Sequence, residues 1–215
     1  MKLSKIDQLS QPDHTYLEDG DECFYLGEYI SNRPKYYRGF TGEVKNLKKK
    51  VRDRNQPHYR YKGQAIRSFG RQLRAVLGQA VIESWTFVPV PPSKAKGDPE
   101  YDDRMIQLLG EIGTGFSCDT RELVVQTASR NAMHTTEGRR LRPAELARLW
   151  SLDEGCALPE PSGIVIFDDV LTTGSSFKAM EIVLSRRFPS TSIIGLFVAR
   201  RIWDRDDDEE GDLLF

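Results

Sequence analysis

Gly163-Ile164-Val165-Ile166-Phe167 is an apolar, β-branched run that passes into Asp168-Asp169, then Val170-Leu171-Thr172-Thr173-Gly174-Ser175-Ser176, then the helical pattern Phe177 to Phe188. That order predicts a buried strand, a loop and a helix. In an open α/β sheet, ligands sit beyond the carboxyl ends of the strands, where this loop would lie. Backbone N–H groups from Thr172 to Ser176 would open the helix, and a helix N-terminus is a ready cradle for phosphate. The hydroxyls of Thr172, Thr173, Ser175 and Ser176 add donors, and Gly174 lets the backbone approach an anion closely. Asp168 and Asp169 repel phosphate, so they are expected to serve sugar hydroxyls or a divalent cation. The competing reading is a buried strand ending in a capped helix, with both acids satisfying local amides. A Walker-B strand is disfavoured, because the chain contains no G-x-x-x-x-G-K-[ST] partner.

On these residues the stretch resembles the phosphoribosyl-pyrophosphate (PRPP) loop of type I phosphoribosyltransferases. The resemblance implies that Asp168 and Asp169 contact the ribose hydroxyls, directly or beside Mg²⁺, and that Thr172, Thr173, Gly174, Ser175 and Ser176 hold the 5′-phosphate. A second stretch fits the same family. Trp85-Thr86-Phe87-Val88-Pro89-Val90-Pro91-Pro92-Ser93-Lys94 reads as a buried strand running into a proline-rich loop, similar to the family's pyrophosphate loop. Ser93 and Lys94 are then the expected pyrophosphate contacts. A cis bond at Val90-Pro91 or Pro91-Pro92 would be accessible at about 0.5–1 kcal/mol. A rigid strand exit with an exposed lysine is the alternative.

The polar segment Thr127 to Arg142 carries Arg130, His134, Arg139 and Arg140. It suits a lid that closes over a polyanion and keeps water from an activated sugar. A basic loop here and a Pro-Val-Pro strand exit are similar to competence-protein-F-like (amidophosphoribosyltransferase-like) members of the family. Purine-salvage members carry an acid where this chain has Thr172, so purine salvage is disfavoured and the acceptor is open.

The expected fold is α/β: a parallel-sheet phosphoribosyltransferase-type core over 85–203, an N-terminal α/β extension over 1–84 packed on it, and an acidic tail over 204–215. Expected sheet strands are Thr86–Val90, Leu123–Val125, Ile164–Phe167 and the near-continuous apolar run Ile193–Val198. Before the core, Cys23–Ile30 reads as a strand that forms a hairpin with Tyr36, Tyr37 and Phe40, while Val44–Arg52 and Gln64–Ile82 have helical spacing. Helices are expected over Asp102–Ile112, Pro143–Leu152 and Gly174–Phe188. Met1 to Asp21, polar and proline-containing, is expected to be loosely held.

At 215 residues with 39% hydrophobic and 29% charged side chains, the composition is that of a globular protein. A polar start and the lack of a long apolar run suggest a cytoplasmic location. Cys23, Cys118 and Cys156 are widely spaced, which suggests free thiols rather than disulfides or zinc ligands. The net charge of −1 conceals a basic segment over 45–74 and an acidic Asp204–Asp212. The first could attract nucleic acid or be a solvated helix face. Three functions follow: a phosphoribosyltransferase using Mg²⁺, a PRPP or nucleotide sensor without catalysis, and a DNA-handling accessory. Oligomeric state is open, a homodimer included.

Overall fold

The computed structural model describes residues 2–30, 38–129 and 141–202. A five-stranded sheet runs in the order β1-β2-β7-β6-β3, where β1 is Ser4–Lys5, β2 Cys23–Tyr29, β3 Thr86–Pro89, β6 Gly163–Leu171 and β7 Ser192–Arg201. β1 is antiparallel to β2, and the remaining pairs are parallel. Six helices are described: α1 Gly39–Leu47, α2 Arg60–Leu77, α3 Gln79–Ser84, α4 Arg104–Ile112, α5 Pro143–Ala147 and α6 Ser175–Arg187. The protein is therefore α/β, with a mixed, mostly parallel sheet.

Alternation along β6 explains the layering. Val165 and Phe167 face one side with Leu196 and Val198 of β7, and α1, α2 and α4 cover them through Leu47, Phe69, Leu73 and Leu108. Ile164 and Ile166 face the other side with Phe197, and α6 covers them through Phe177, Met180 and Leu184. A strand enclosed on both faces must be apolar throughout, and its burial makes it a main source of stability, at about 1.5–3 kcal/mol for each large side chain. On α2 the buried Ala65, Ile66, Phe69 and Leu73 trace one helical stripe, so the expected amphipathic helix forms. Gly70 within it lets α4 come so near that a Cβ there would lie 2.3 Å from the Glu111 Cβ.

Several expectations are corrected. β2 makes no hairpin with Phe40, which lies in α1, and Tyr36 and Tyr37 lie outside the described residues. Its neighbours are β1 and β7, so β1 and β2, two of the five strands, come from before residue 85. The segment expected over Leu123–Val125 is not in the main sheet. Val124–Gln126 (β4) forms a separate antiparallel ribbon with Trp150–Leu152 (β5), so the helix expected to reach Leu152 stops at Ala147. Trp150 drives this ending: it is buried and its indole N–H donates to Gln126 Oε1 at 2.9 Å. The main sheet gains a single parallel bridge instead, between Thr120 and Phe87. The helix expected over Gln64–Ile82 breaks at Gly78, whose φ of +73° ends α2 before α3 starts. The start of the chain is not loose, since Ile6, Ser10, His14 and Leu17 are all buried. Both Val90-Pro91 and Pro91-Pro92 are trans, and the cis X-Pro bond among the described residues is Leu158-Pro159. All three cysteines are free, and Cys23 is fully buried. No helix among the described residues is long and apolar enough to cross a membrane. The segment 204–215 lies outside the described residues.

Candidate functional site

Parallel pairing of β3 with β6 sets Pro89 opposite Phe167, and the Val90 N–H donates to the Phe167 carbonyl at 2.9 Å. The proline-rich loop therefore leaves the sheet beside Asp168-Asp169. Between them opens a cavity of about 560 Å³ whose lining includes Ser93, Lys94, Arg104, Asp168, Asp169 and Ser176. Its walls combine apolar groups such as Val90 and Val124 with a larger number of polar and charged side chains, the acids Asp102, Asp103, Glu122 and Asp153 among them.

β6 does not stop at Phe167. It continues through both acids, with Asp168 paired to Phe197 and Leu171 to Arg200 on β7. Successive strand residues point to opposite faces, so the two carboxylates receive different surroundings. Asp169 is buried, at 4% exposure, and both its oxygens are taken. Oδ1 accepts from Lys48 Nζ at 3.1 Å, and Oδ2 accepts from Arg104 Nη2 at 2.6 Å and Nε at 3.2 Å. Arg104 Nη1 also donates to Asp102 Oδ2 at 2.6 Å, which takes the buried Lys62 Nζ at 2.7 Å. Burial opposes the charge on Asp169, but Lys48 and Arg104 outweigh it and hold the carboxyl well below the usual range. Asp168 has no such partner. Its Oδ1 accepts the Asp169 N–H at 2.7 Å, and its Oδ2 accepts no hydrogen bond from the described residues. Burial, and then the charge of Asp169, push its carboxyl well above the usual range.

On the proline-loop side, Lys94 Nζ lies 3.8 Å from Asp98 Oδ2. Asp98 also accepts from Ser129 Oγ at 2.6 Å, and Ser129 Oγ accepts the Ala95 N–H at 3.0 Å, so this loop is braced against the end of the ribbon. Glu122 closes the same wall, accepting from Tyr101 Oη at 3.0 Å and Lys96 Nζ at 2.7 Å.

The turn into α6 divides. Ser176 lines the cavity, whereas Thr172, Thr173, Gly174 and Ser175 do not. Ser175 is buried and donates to the Leu141 carbonyl at 2.8 Å. The N-terminal segment covers the others: the Thr173 carbonyl accepts the Tyr16 N–H at 2.9 Å, the Thr172 carbonyl takes His14 Nδ1, and Leu17 sits against Gly174. A carbonyl can only accept, so His14 carries its proton on Nδ1. Its Nε2 is buried without a partner among the described residues. Arg130, His134, Arg139 and Arg140 lie outside the described residues.

A divalent cation fits only in part. Among the described residues no cluster of three His, Cys, Asp or Glu side chains could hold a metal. Asp169 is saturated by two cations. Asp168 Oδ2 is a single open carboxylate oxygen, which suits a Mg²⁺ that keeps its waters and arrives on substrate phosphates.

Of the site residues expected from the sequence, the structure brings the acid pair, Ser93, Lys94 and Ser176 to one cavity; Lys48, Lys62, Asp102, Arg104 and His14 were not among those expected. Lys48 and Lys62 lay within the basic segment and looked like its exposed members, while nothing in the spacing of Asp102 and Arg104 linked them to β6. Compared with models of known protein families and with curated protein sequences, the chain matches none.

Proposed function

We propose that the protein binds PRPP in the cavity between the β3 and β6 ends and transfers its phosphoribosyl group to an acceptor, releasing pyrophosphate. The observation that carries this reading is the convergence on one cavity of an open carboxylate oxygen, Asp168 Oδ2, with Ser93 and Lys94 on one side and Ser176, in the first turn of a 13-residue helix, on the other. These are a sugar-hydroxyl acceptor, an anion site with a point charge, and a phosphate cradle. The core would then be of phosphoribosyltransferase type.

Asp168 Oδ2 would take the ribose hydroxyls, directly or through Mg²⁺, and would lie near the positive charge that develops on the sugar. The α6 N-terminus would hold the 5′-phosphate through Ser176 and the backbone amides of its first turn. Ser93 and Lys94 would orient the pyrophosphate. A Mg²⁺ carried on the pyrophosphate, with Asp168 as its protein ligand, would supply charge for the departing oxygens. The acceptor's lone pair forms the new bond to C1 while the C1–O bond breaks, and its electrons leave with pyrophosphate. Positioning and charge placement carry such a reaction, so no covalent nucleophile is required.

Isothermal titration with PRPP and Mg²⁺ tests the reading: heat must appear at millimolar PRPP or below, and Asp168→Asn must weaken it. Pyrophosphate release on adding amine, base or water acceptors separates an enzyme from a sensor, which would bind and release none. A second reading rests on the basic segment, where Lys50, Arg52, Arg54, Arg60, Arg67 and Arg71 all point to solvent. As a nucleic-acid face it would give steeply salt-dependent affinity, and Arg67→Glu would lower that slope without changing PRPP binding.

A further inference from the structure

A matched pair of substrate-binding acids would offer a ligand both carboxylates. Both acids line the cavity here, but one of the two carboxylates is already spent. Asp169 Oδ1 and Oδ2 are held by Lys48 and Arg104, cations brought from 121 and 65 residues away in the chain. Arg104 is itself fixed on its far side by Asp102, and Asp102 by Lys62, which also donates to the Lys49 carbonyl at 2.7 Å. Four charged side chains, from the α1 C-terminus to the start of α4, thus lock the Asp169 carboxylate. The same residue's N–H holds Asp168 Oδ1 at 2.7 Å, so fixing Asp169 fixes the acid that remains open. Releasing Asp169 to a sugar would leave Lys48 and Arg104 to find other partners in a half-buried site, which is costly.

We propose that Asp169 is a positioning residue, anchored by Lys48 and Arg104, and that Asp168 alone is the ligand-facing carboxylate of the pair. The division of labour rests on the PRPP reading for the ligand's identity, but the anchoring itself does not. It also gives the N-terminal third a part in the site, because Lys48 caps the C-terminus of α1.

Carboxyl footprinting of the full-length protein tests it, using a water-soluble carbodiimide with glycine ethyl ester and tandem mass spectrometry to separate positions 168 and 169. Asp168 should label and Asp169 should not. In Lys48→Met, which loses a cation whose side chain is 39% exposed and should fold, Asp169 should begin to label, and Lys48→Arg should restore protection. Equal labelling of both acids in the wild type, or an unchanged Asp169 in Lys48→Met, overturns the anchoring. Titration with PRPP and Mg²⁺ then reads the consequence. Asp168→Asn should lose affinity by about 10- to 100-fold, and Lys48→Met by about 3- to 10-fold with recovery in Lys48→Arg. Folded Asp169→Asn that loses as much as Asp168→Asn, against a wild type that binds, also overturns the proposal. Should the wild type show the labelling pattern but no protection of Asp168 by PRPP, the PRPP reading fails and the anchored pair stands.

Discussion

Leu17 lies so close to Gly174 that a Cβ added at position 174 would fall 2.9 Å from its Cδ2. A residue from the N-terminal segment therefore closes one side of the turn that opens α6. Gly174 caps that helix with φ +82°, a conformation in which an L side chain costs about 1–2 kcal/mol. Gly174→Ala should destabilise by that amount plus the cost of displacing Leu17. Leu17→Ala alone empties a buried site and should cost about 2–5 kcal/mol. Because the smaller side chain makes room for the new methyl group, urea melts of the double variant should fall short of the sum of the singles by about 0.5–3 kcal/mol. Strict additivity would mean that the N-terminal segment does not press on the turn.

His14 supplies a pH dependence. It is fully buried, and burial, followed by the charge of Arg200, pushes its pKa below the ordinary 6.5, against the opposing pull of the Thr172 carbonyl and Asp13. The fold therefore favours the neutral imidazole, and the unfolded chain takes up the proton first. Its contribution to stability is complete above pH 6.5 and is lost as pH falls through the lower, folded value. In His14→Asn, whose amide can still donate to Thr172, melting temperature should be lower than wild type at pH 7.5, with the gap narrowing toward pH 5. A gap that stays constant or widens on acidification rules the role out.

The two acids of β6 should respond in opposite directions to the same chemical change. Asp168 sits beside a charged neighbour in a site that disfavours its ionised form, so at pH 8 its charge costs stability. Asp169 is held charged by Lys48 and Arg104. Asp168→Asn should raise the melting temperature at pH 8 by about 2–4 °C while weakening ligand binding, and Asp169→Asn should lower it by at least as much. Scanning calorimetry of the two variants decides, and a shared sign would refute the asymmetry.

How much of this was legible in the sequence depends on whether a feature is local. Gly163 to Ser176 announced a strand, an acid pair and a helix start within fourteen consecutive residues, and all three form there. Ile193 to Val198 announced a doubly covered strand by its lack of polar alternation. The ribbon was not legible, because Trp150 and Gln126 meet across 24 residues and Pro143 to Leu152 looks helical on either side of the true stop at Ala147. The anchoring of Asp169 was less legible still. Lys48 belongs by composition to a surface patch, and only the docking of α1 on the sheet turns it toward β6. The burial of His14 is the same kind of case: a polar segment without apolar periodicity acquired its place from the carbonyls of Thr172 and Thr173.

The basic segment should prove energetically uneven, and Lys62 is where this is measurable. Its ammonium is 2.7 Å from Asp102 Oδ2 and 2.7 Å from the Lys49 carbonyl, with the side chain 4% exposed. Burial pushes the lysine pKa down, and Asp102 opposes the shift. Lys62→Met keeps the apolar stem but removes the charge, leaving the half-buried Lys49 carbonyl without its donor and Asp102 dependent on Arg104 alone. Breaking a buried pair from one side costs about 3–5 kcal/mol. Asp102→Asn should be similarly harmful alone, yet the double variant should lose less than the sum, since no buried charge is then stranded. Lys50→Met, twelve residues earlier and exposed, should change stability by no more than about 0.5 kcal/mol. Guanidinium unfolding of the four proteins measures all of these on one scale. If Lys62→Met proves as silent as Lys50→Met, the chain of charges from Lys62 through Arg104 to Asp169 does not exist as a coupled unit, and the anchoring of Asp169 would rest on Lys48 and Arg104 without support from behind.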